Sequence, residues 1–195
     1  TNTSMIFSGN LEIIKEGNGT LVVAAEGQSY AGGTKILGGV VEIGSSGSEL
    51  FGSGVVKVEE GCKFDVCGAD ASALEVLLSG GIITSSSGEK AVFPLKLTLD
   101  ADSSLRFAQI QEAHDITISS GAVWNLGGKK LSVVLDGTDP DLEVENVTIT
   151  NGTFSVVVNT YAGETKGYIQ IEALNGADGL ILDLGNTMLR NHGKK

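Results

Sequence analysis

The stretch YAGGTKILGGVVEIG, residues 30–44, places glycine before, within and after a short run of apolar residues. One glycine pair (32–33) precedes the run, a second pair (38–39) divides it, and Gly44 closes it. Glycine tolerates positive φ and therefore marks turns. The alternating apolar residues between these turns are Ile36, Val41 and Ile43. This pattern predicts short strands with one buried face, joined by tight turns.

The residues that open this stretch are interpreted as a corner of the chain. Gly32 and Gly33 are expected to adopt positive φ, so that the backbone turns onto the next coil. The ring of Tyr30 is expected to cover the side of the stack, and Thr34 is expected to belong to the same corner. A ligand-binding loop built from the same residues is the alternative. Gly39 is expected to turn the coil again.

One unit recurs along the chain: two alternating apolar residues, a turn centred on Gly or Asp, and two further alternating apolar residues. When the units are aligned on the turn, for which Gly61 is an example, Phe64, Leu105 and Trp124 fall at one position. Trp124 is therefore expected in the core, with an exposed sugar-stacking platform as the alternative. The unit occurs in VKVEEGCKFDV (56–66), LTLDADSSLRF (97–107), ITISSGAVWNL (116–126) and VTITNGTFSV (147–156).

Strands this short cannot bury enough apolar surface alone, so they must stack on copies of themselves. We predict an all-β fold, a parallel β-solenoid in one elongated domain over residues 1–195, with a β-sandwich as the alternative. Repetition favours the solenoid, because a sandwich has no reason to repeat one unit so often. Residues 69–81, which have helical spacing, are expected to form a helical turn or another coil. Residues 4–13 and 174–186 are expected to cap the two open ends.

Composition and charge exclude several classes of protein. The 195 residues carry a formal net charge of -11, which argues against a nucleic-acid partner, since such partners are bound through clustered Lys and Arg. No apolar run approaches the roughly 20 residues that a membrane-spanning helix needs. The N-terminal stretch TNTSMIFSG lacks a signal-peptide pattern, so the chain is expected to be a mature or excised piece. Cys62 and Cys67 would lie roughly 16 Å apart on one extended strand, so two free thiols are expected.

The acidic stretch DGTDPDLEVEN (136–146) offers carboxylates of the kind that calcium prefers. It matches neither an EF-hand loop nor a calcium-binding repeat. A solvated acidic loop is therefore the main interpretation, with a calcium site as the alternative, and no other cofactor is indicated. The candidate ligands are Asp136, Asp139, Asp141, Glu143 and Glu145, with the turn residues Asp100 and Asp102 as weaker ones.

A lyase or glycosidase on such a fold would need acidic or basic groups that converge on one face. Nothing in the spacing of the candidates singles out a pair, and His114 and Asp115 are adjacent, so on a strand they would point to opposite faces. No nucleophile elbow, phosphate loop or zinc pattern occurs. Enzymatic activity is therefore not expected. The outward-facing candidates are Asp65, Lys96, Asp100, Arg106 and Asp115.

Residues 11–68 combine Lys-x-Gly-x-Gly-Thr-Leu, Tyr-x-Gly-Gly-Thr, a glycine-centred strand pair and a loop that ends in Gly-Ser-Gly before a further pair. This combination closely resembles the passenger-associated repeat of bacterial autotransporters. Residues 69–195 are similar only in a general way and are interpreted as further coils and a C-terminal cap. The matching positions are Lys15, Gly17, Gly19, Thr20, Leu21, Tyr30, Gly32, Gly33, Thr34, Ile36, Gly39, Val41, Ile43, Gly52, Ser53, Gly54, Val58, Gly61, Phe64 and Val66.

The resemblance implies a right-handed parallel β-helix displayed outside a bacterial cell. We expect a structural or adhesive segment of a surface-displayed or secreted protein, which binds glycan or protein through its side wall. Self-association, end to end or side by side, is expected as well. The alternatives are a polysaccharide-acting enzyme and a calcium-stabilised binding module.

Overall fold

The computed structural model describes residues 2–3, 6–24, 27–44, 51–86, 91–110, 116–118, 121–137, 141–144, 147–160, 168–171, 174–176, 179–184 and 188–189. Within these ranges the chain forms strands and turns and no helix. The predicted all-β class is confirmed.

The strands are mostly two to six residues long. In chain order they are β1 (Asn2–Thr3), β2 (Ser8–Gly9), β3 (Ile13–Lys15), β4 (Thr20–Val23), β5 (Ser29–Tyr30), β6 (Thr34–Ile36), β7 (Val40–Ile43), β8 (Val56–Glu59), β9 (Lys63–Asp65), β10 (Glu75–Ser79), β11 (Ile82–Ser85), β12 (Ala91–Val92), β13 (Lys96–Ala101), β14 (Ser103–Ile110), β15 (Ile116–Ile118), β16 (Val123–Gly137), β17 (Asp141–Val144), β18 (Val147–Thr160), β19 (Tyr168–Ile171), β20 (Leu174–Gly176), β21 (Leu180–Asp183) and β22 (Met188–Leu189).

These strands stack in three parallel ladders, which we call faces I, II and III. Face I contains β1, β4, β7, β9, β11, β14, the C-terminal part of β16, the C-terminal part of β18, and β21. Face II contains β3, β6, β8, β10, β13, the N-terminal part of β16, the N-terminal part of β18, and β20. Face III contains the pair β2–β5 and the run β12, β15, β17, β19 and β22.

Each pairing joins residues about one coil apart along the chain. On face I, Lys63 pairs with Ile82, which lies 19 residues further on, and Ser103 pairs with Leu131, 28 residues further on. Parallel neighbours need a crossover connection, and here it runs through the other two faces. The chain therefore winds as a β-solenoid. The predicted solenoid is confirmed, whereas a sandwich would be built from antiparallel hairpins.

Two long strands run through a corner without interruption. The pairing of β16 with β18 shifts register between Asn125 and Lys129. Gly127 and Gly128, which lie in this shift, have positive φ values of 57° and 77°. Because β16 and β18 each contribute to both faces, faces I and II form one 15-stranded sheet.

Inward side chains of faces I and II, together with buried residues of the connecting segments such as Phe51 and Phe93, form one core. On face I, Phe64, Ile83 and Leu105 pair in register and are at most 1% exposed. Trp124 is equally buried, as expected, but it lies on face II beside Leu97. Its alignment with Phe64 and Leu105 was therefore wrong. In the sequence of β15, as in the strands of faces I and II, apolar residues alternate. The recurring unit therefore fits the corner between faces III and II as well as the corner between faces II and I.

Residues 69–81 form a further coil, and the helical turn was not the correct alternative. In β10, Val76 and Leu78 face the core while Leu77 is only partly buried. Leu74 is buried at the corner before this strand. The spacing of the leucines imitates a helix because it combines a corner residue with strand residues.

The corner at Tyr30 differs from the prediction in two ways. Tyr30 lies inside the stack at 1% exposure, and its hydroxyl is 2.6 Å from Oγ1 of Thr34. Gly33 has a positive φ of 85°, as expected, whereas Gly32 does not. Instead, a Cβ at Gly32 would lie 2.6 Å from the backbone oxygen of Leu11. The neighbouring coil therefore leaves no space for a side chain at Gly32.

The other two predicted turn glycines have the expected backbone conformation. Gly39 has a φ of 71° and Gly61 a φ of 75°. A Cβ at Gly39 would also overlap the backbone oxygen of Gly19, whereas the position at Gly61 faces open space. Both turns are confirmed, and only the first is tightly packed against its neighbour.

Both cysteines are free thiols, as predicted, with Cys62 buried and Cys67 half-buried. Burial raises the pKa of the Cys62 thiol. Cys67 adopts a positive φ of 47°, which is uncommon outside glycine.

The stretch 174–186, expected as a cap, contributes β20 and β21 to faces II and I. Its function as a cap stays a prediction.

Candidate functional site

Two clefts border face II, one at each end of its strands. Cleft A, of about 350 Å³, lies beside the strand starts and is lined by residues 52–54, 72–75 and 95–96. Cleft B, of about 430 Å³, lies beside the strand ends and is lined by Glu60, residues 79–80, residues 100–102 and Lys129. The outward side chains of β8, β10 and β13 separate the two clefts.

Cleft A lies at the corner between faces III and II. Its three walls are the lining segments 52–54, 72–75 and 95–96. In the first wall, a Cβ at Gly52 would overlap the backbone oxygen of Tyr30, so this coil packs directly on the one before it. On the next coil, the Asp70 carboxylate accepts the N–H of Ser72 at 2.9 Å and fixes a local turn. The N–H of Leu95 then donates to the carbonyl of Ser72 at 3.3 Å and joins the third wall to the second.

The polar groups of cleft A suit a ligand that both donates and accepts hydrogen bonds. Ser53 and Ser72 supply hydroxyl groups. Glu75 and Lys96 form an ion pair at 3.7 Å, with the lysine side chain 72% and the glutamate side chain 51% exposed. Such exposed pairs contribute about 0–1 kcal/mol to stability, so both charged groups remain available to a ligand.

Cleft B is acidic. Glu60, Asp100 and Asp102 contribute three carboxylates, and Lys129 contributes one ammonium group. An organic cation or a polar ligand would therefore be favoured there over an anion. Within the described ranges, no group of three or more His, Cys, Asp and Glu side chains is placed to hold a metal ion.

The turn beside cleft B already uses some of these polar groups. The Asp102 carboxylate accepts the N–H of Lys130 at 2.8 Å. Ser103 Oγ accepts the N–H of Gly80 at 3.1 Å and donates to the carbonyl of Ala101 at 2.9 Å. Asp102 is therefore a turn residue, as its sequence position indicated, and it also connects one coil to the next.

The predicted calcium ligands are distributed over two faces. The backbone of Asp136 pairs with Asn159 on face I, and that of Asp141 pairs with Tyr168 on face III. Asp139 lies outside the described residues, and for Asp136 and Asp141 the structure describes the backbone. The calcium site stays a prediction.

The four catalytic candidates that the structure describes do not share one face. Asp65 and Arg106 lie on face I, and Lys96 and Asp100 lie on face II. His114 and Asp115 lie outside the described ranges.

Asp65 was expected to face outward, but it is buried and stabilises a turn through its carboxylate. It is 5% exposed, and its Oδ1 accepts the N–H of Cys67 at 2.9 Å and the N–H of Ser86 at 3.0 Å. The second bond joins the turn to the following coil. An aspartate two residues before a turn amide is a recognisable local signal, whereas the contact with the next coil has none.

Trp124 is not a sugar-stacking platform. Its ring is fully buried, and its Nε1–H donates to the carbonyl of Pro94 at 2.9 Å. The alternative of an exposed tryptophan is therefore wrong.

No protein-family model, curated protein or solved structure matches this chain. In the part of the chain that the structure describes, no helix is long and apolar enough to cross a membrane. Within the described residues the chain is a parallel β-solenoid.

Proposed function

We propose that this chain is a structural and adhesive β-helix segment of a bacterial surface-displayed or secreted protein, which binds glycan or protein through its side wall. The observation that supports this most is the in-register stacking of face II from β3 to β20. Seven steps of about 4.8 Å make a wall about 34 Å long. A rigid wall of this length can engage a polymeric ligand at several points at once.

Cleft A is the proposed contact for a glycan. Its serine hydroxyls at Ser53 and Ser72 can both donate and accept, as sugar hydroxyls do. The Glu75–Lys96 pair adds a charged acceptor and a charged donor at its edge. The proposed location outside a bacterial cell is supported by the resemblance of residues 11–68 to autotransporter passenger repeats.

An array of microbial and host-surface glycans and matrix proteins, probed with the full chain, tests this function. We expect binding to one ligand class, with its reducing ends unchanged. The double variant Ser53→Ala/Ser72→Ala should weaken glycan binding about fivefold or more, since two hydrogen bonds are removed. Lys63→Glu on face I is the matched surface control and should bind like the wild type.

Absence of binding to every ligand on the array would contradict the adhesive proposal. New reducing ends or unsaturated products would establish a polysaccharide-acting enzyme in its place. Thermal melts with calcium and with a chelator test the calcium-stabilised module, because a bound ion would raise the melting temperature.

A further inference from the structure

The outward side chains of face II follow a charge pattern that is complementary to itself. Glu75 on β10 and Lys96 on β13 are paired in register. Val55, immediately before β8, and Val123, at the start of β16, lie one coil further out on either side. These two valines are among the most exposed large apolar side chains, at 41% and 54%.

We propose that a second copy of this chain packs on face II, so that the two solenoids run antiparallel. The two-fold axis that relates the copies is parallel to the strands and passes between β10 and β13. This symmetry places β10 of each copy opposite β13 of the other, and β8 opposite the N-terminal part of β16. Each Glu75 then faces Lys96 of the second copy. The exposed Val55 of each copy covers the exposed Val123 of the other.

The rest of the surface is compatible with the same axis. Lys57 faces Asn125, because both lie two residues beyond the valines on their own strands. At the strand ends, where the register of β10 and β13 shifts, Ser79 faces the segment Asp100–Ala101. No two like charges oppose each other among these described positions, whereas direct apposition of like charges would weaken the contact.

The parallel arrangement of two solenoids is disfavoured by charge. A two-fold axis along the solenoid would place each coil opposite the same coil of the second copy. Lys57, which is central on β8, would then face Lys57. Lys57 is already paired with Glu59 of its own strand at 2.8 Å, so that carboxylate would have to serve two lysines.

The area of the contact predicts weak association. The six strands nearest the axis run from β6 to the N-terminal part of β18. At a spacing of about 4.8 Å and a width of about five residues, they give a footprint of roughly 470 Å² on each copy. Stable complexes bury about 800 Å² on each partner, so a transient dimer is expected. The contact covers part of the face II wall and the Glu75–Lys96 pair beside cleft A, so a second copy and a ligand at cleft A would compete for the same surface. The argument for the dimer does not depend on the proposed adhesive function.

Charge reversal followed by sedimentation velocity tests the proposal. At low salt, the full chain should pass from monomer to dimer between about 10 μM and 1 mM, the range expected of a small interface. Glu75→Lys and Lys96→Glu should each stay monomeric at concentrations where the wild type is dimeric, because each variant places like charges opposite each other. The double variant Glu75→Lys/Lys96→Glu should dimerise again.

Mixing the two single variants distinguishes the interface from a folding defect. In the Glu75→Lys chain both positions carry lysine, and in the Lys96→Glu chain both carry glutamate. Every facing pair in a heterodimer therefore has opposite charges, so the equimolar mixture should dimerise. Lys63→Glu on face I should associate like the wild type. The proposal is overturned by a monomeric wild type at about 1 mM, by single variants that dimerise normally, or by a mixture that stays monomeric.

Discussion

Glycine meets two separate physical requirements in this chain. Gly61 adopts positive φ and faces open space. Gly52 does not have a positive φ, but the backbone of the neighbouring coil occupies the place of its side chain. The first requirement could be predicted from the sequence, because a glycine between two apolar pairs marks a turn. The second could not, because it depends on which coil lies beside the glycine.

The two requirements predict different costs for the same substitution. Gly61→Ala should reduce the free energy of unfolding by about 1–2 kcal/mol, the cost of a left-handed backbone. Gly52→Ala should reduce it by about 3 kcal/mol or prevent folding, because the methyl group overlaps backbone that cannot rotate away. Urea denaturation of both variants measures the difference. Equal costs, or the reverse order, would show that the coils are not in close contact at Gly52.

Tyr30 should make stability depend on pH in the alkaline range. Burial raises the pKa of its hydroxyl, while hydrogen bonds from Thr34 and the backbone of Gly52 partly oppose this. The folded protein therefore holds the proton more tightly than the unfolded chain, whose tyrosine pKa is about 10. The resulting stabilisation is present below about pH 10 and is lost as the pH rises further.

We expect the free energy of unfolding of the wild type to fall more steeply above about pH 10 than that of Tyr30→Phe. Urea denaturation at a series of pH values measures both slopes. Tyr161 and Tyr168 are present in both proteins and serve as internal controls. Parallel curves would mean that the Tyr30 hydroxyl is not buried.

At the scale of strands and turns, the recurring unit predicted the elements well and their positions less well. β8, β10 and β13 each alternate as expected. The unit at residues 116–126, however, belongs to a different corner from the others. Because each corner joins two alternating strands, a local pattern cannot identify which corner it forms; the register of the neighbouring coils decides this.

Lys15 stabilises one of these turns through its ammonium group. Its Nζ donates to the carbonyls of Glu16 at 2.9 Å, Gly17 at 2.8 Å and Gly38 at 2.8 Å, and the last bond reaches the following coil. Lys15→Met should reduce the free energy of unfolding by about 1.5–3 kcal/mol, because hydrogen bonds to a charged donor are lost.

Lys35→Met is the matched control for this turn. Lys35 forms an exposed ion pair with Glu12 at 2.8 Å, and its removal should cost about 0–1 kcal/mol. Thermal and urea unfolding of the two variants compare them. If Lys35→Met is the more damaging change, the three carbonyl contacts of Lys15 do not support the turn.

At the scale of the whole molecule, the ladders turn a sequence of short strands into continuous walls. The solenoid itself was predictable, because repeated units with one apolar face have to stack. The two clefts and the charge pattern of face II were not predictable, because Glu75 and Lys96 become neighbours, and Val55 and Val123 come to flank them, only through the register of the coils. The calcium site stays a prediction, because the side chains of Asp136, Asp139 and Asp141 lie outside the described part of the chain.

The central claim is that successive coils stack in parallel register, and spin-label distances measured by pulsed electron paramagnetic resonance test it most directly. On face I, the outward ladder runs through Thr20, Val40, Lys63, Ile82, Ser104 and Ser132. Labels would be attached to introduced cysteines, with Cys62→Ala and Cys67→Ser as the background. The account predicts about 19 Å between labels at 20 and 104 and about 24 Å between labels at 20 and 132, one coil spacing more. Distances that do not increase by one such step, or the reverse order, would contradict it.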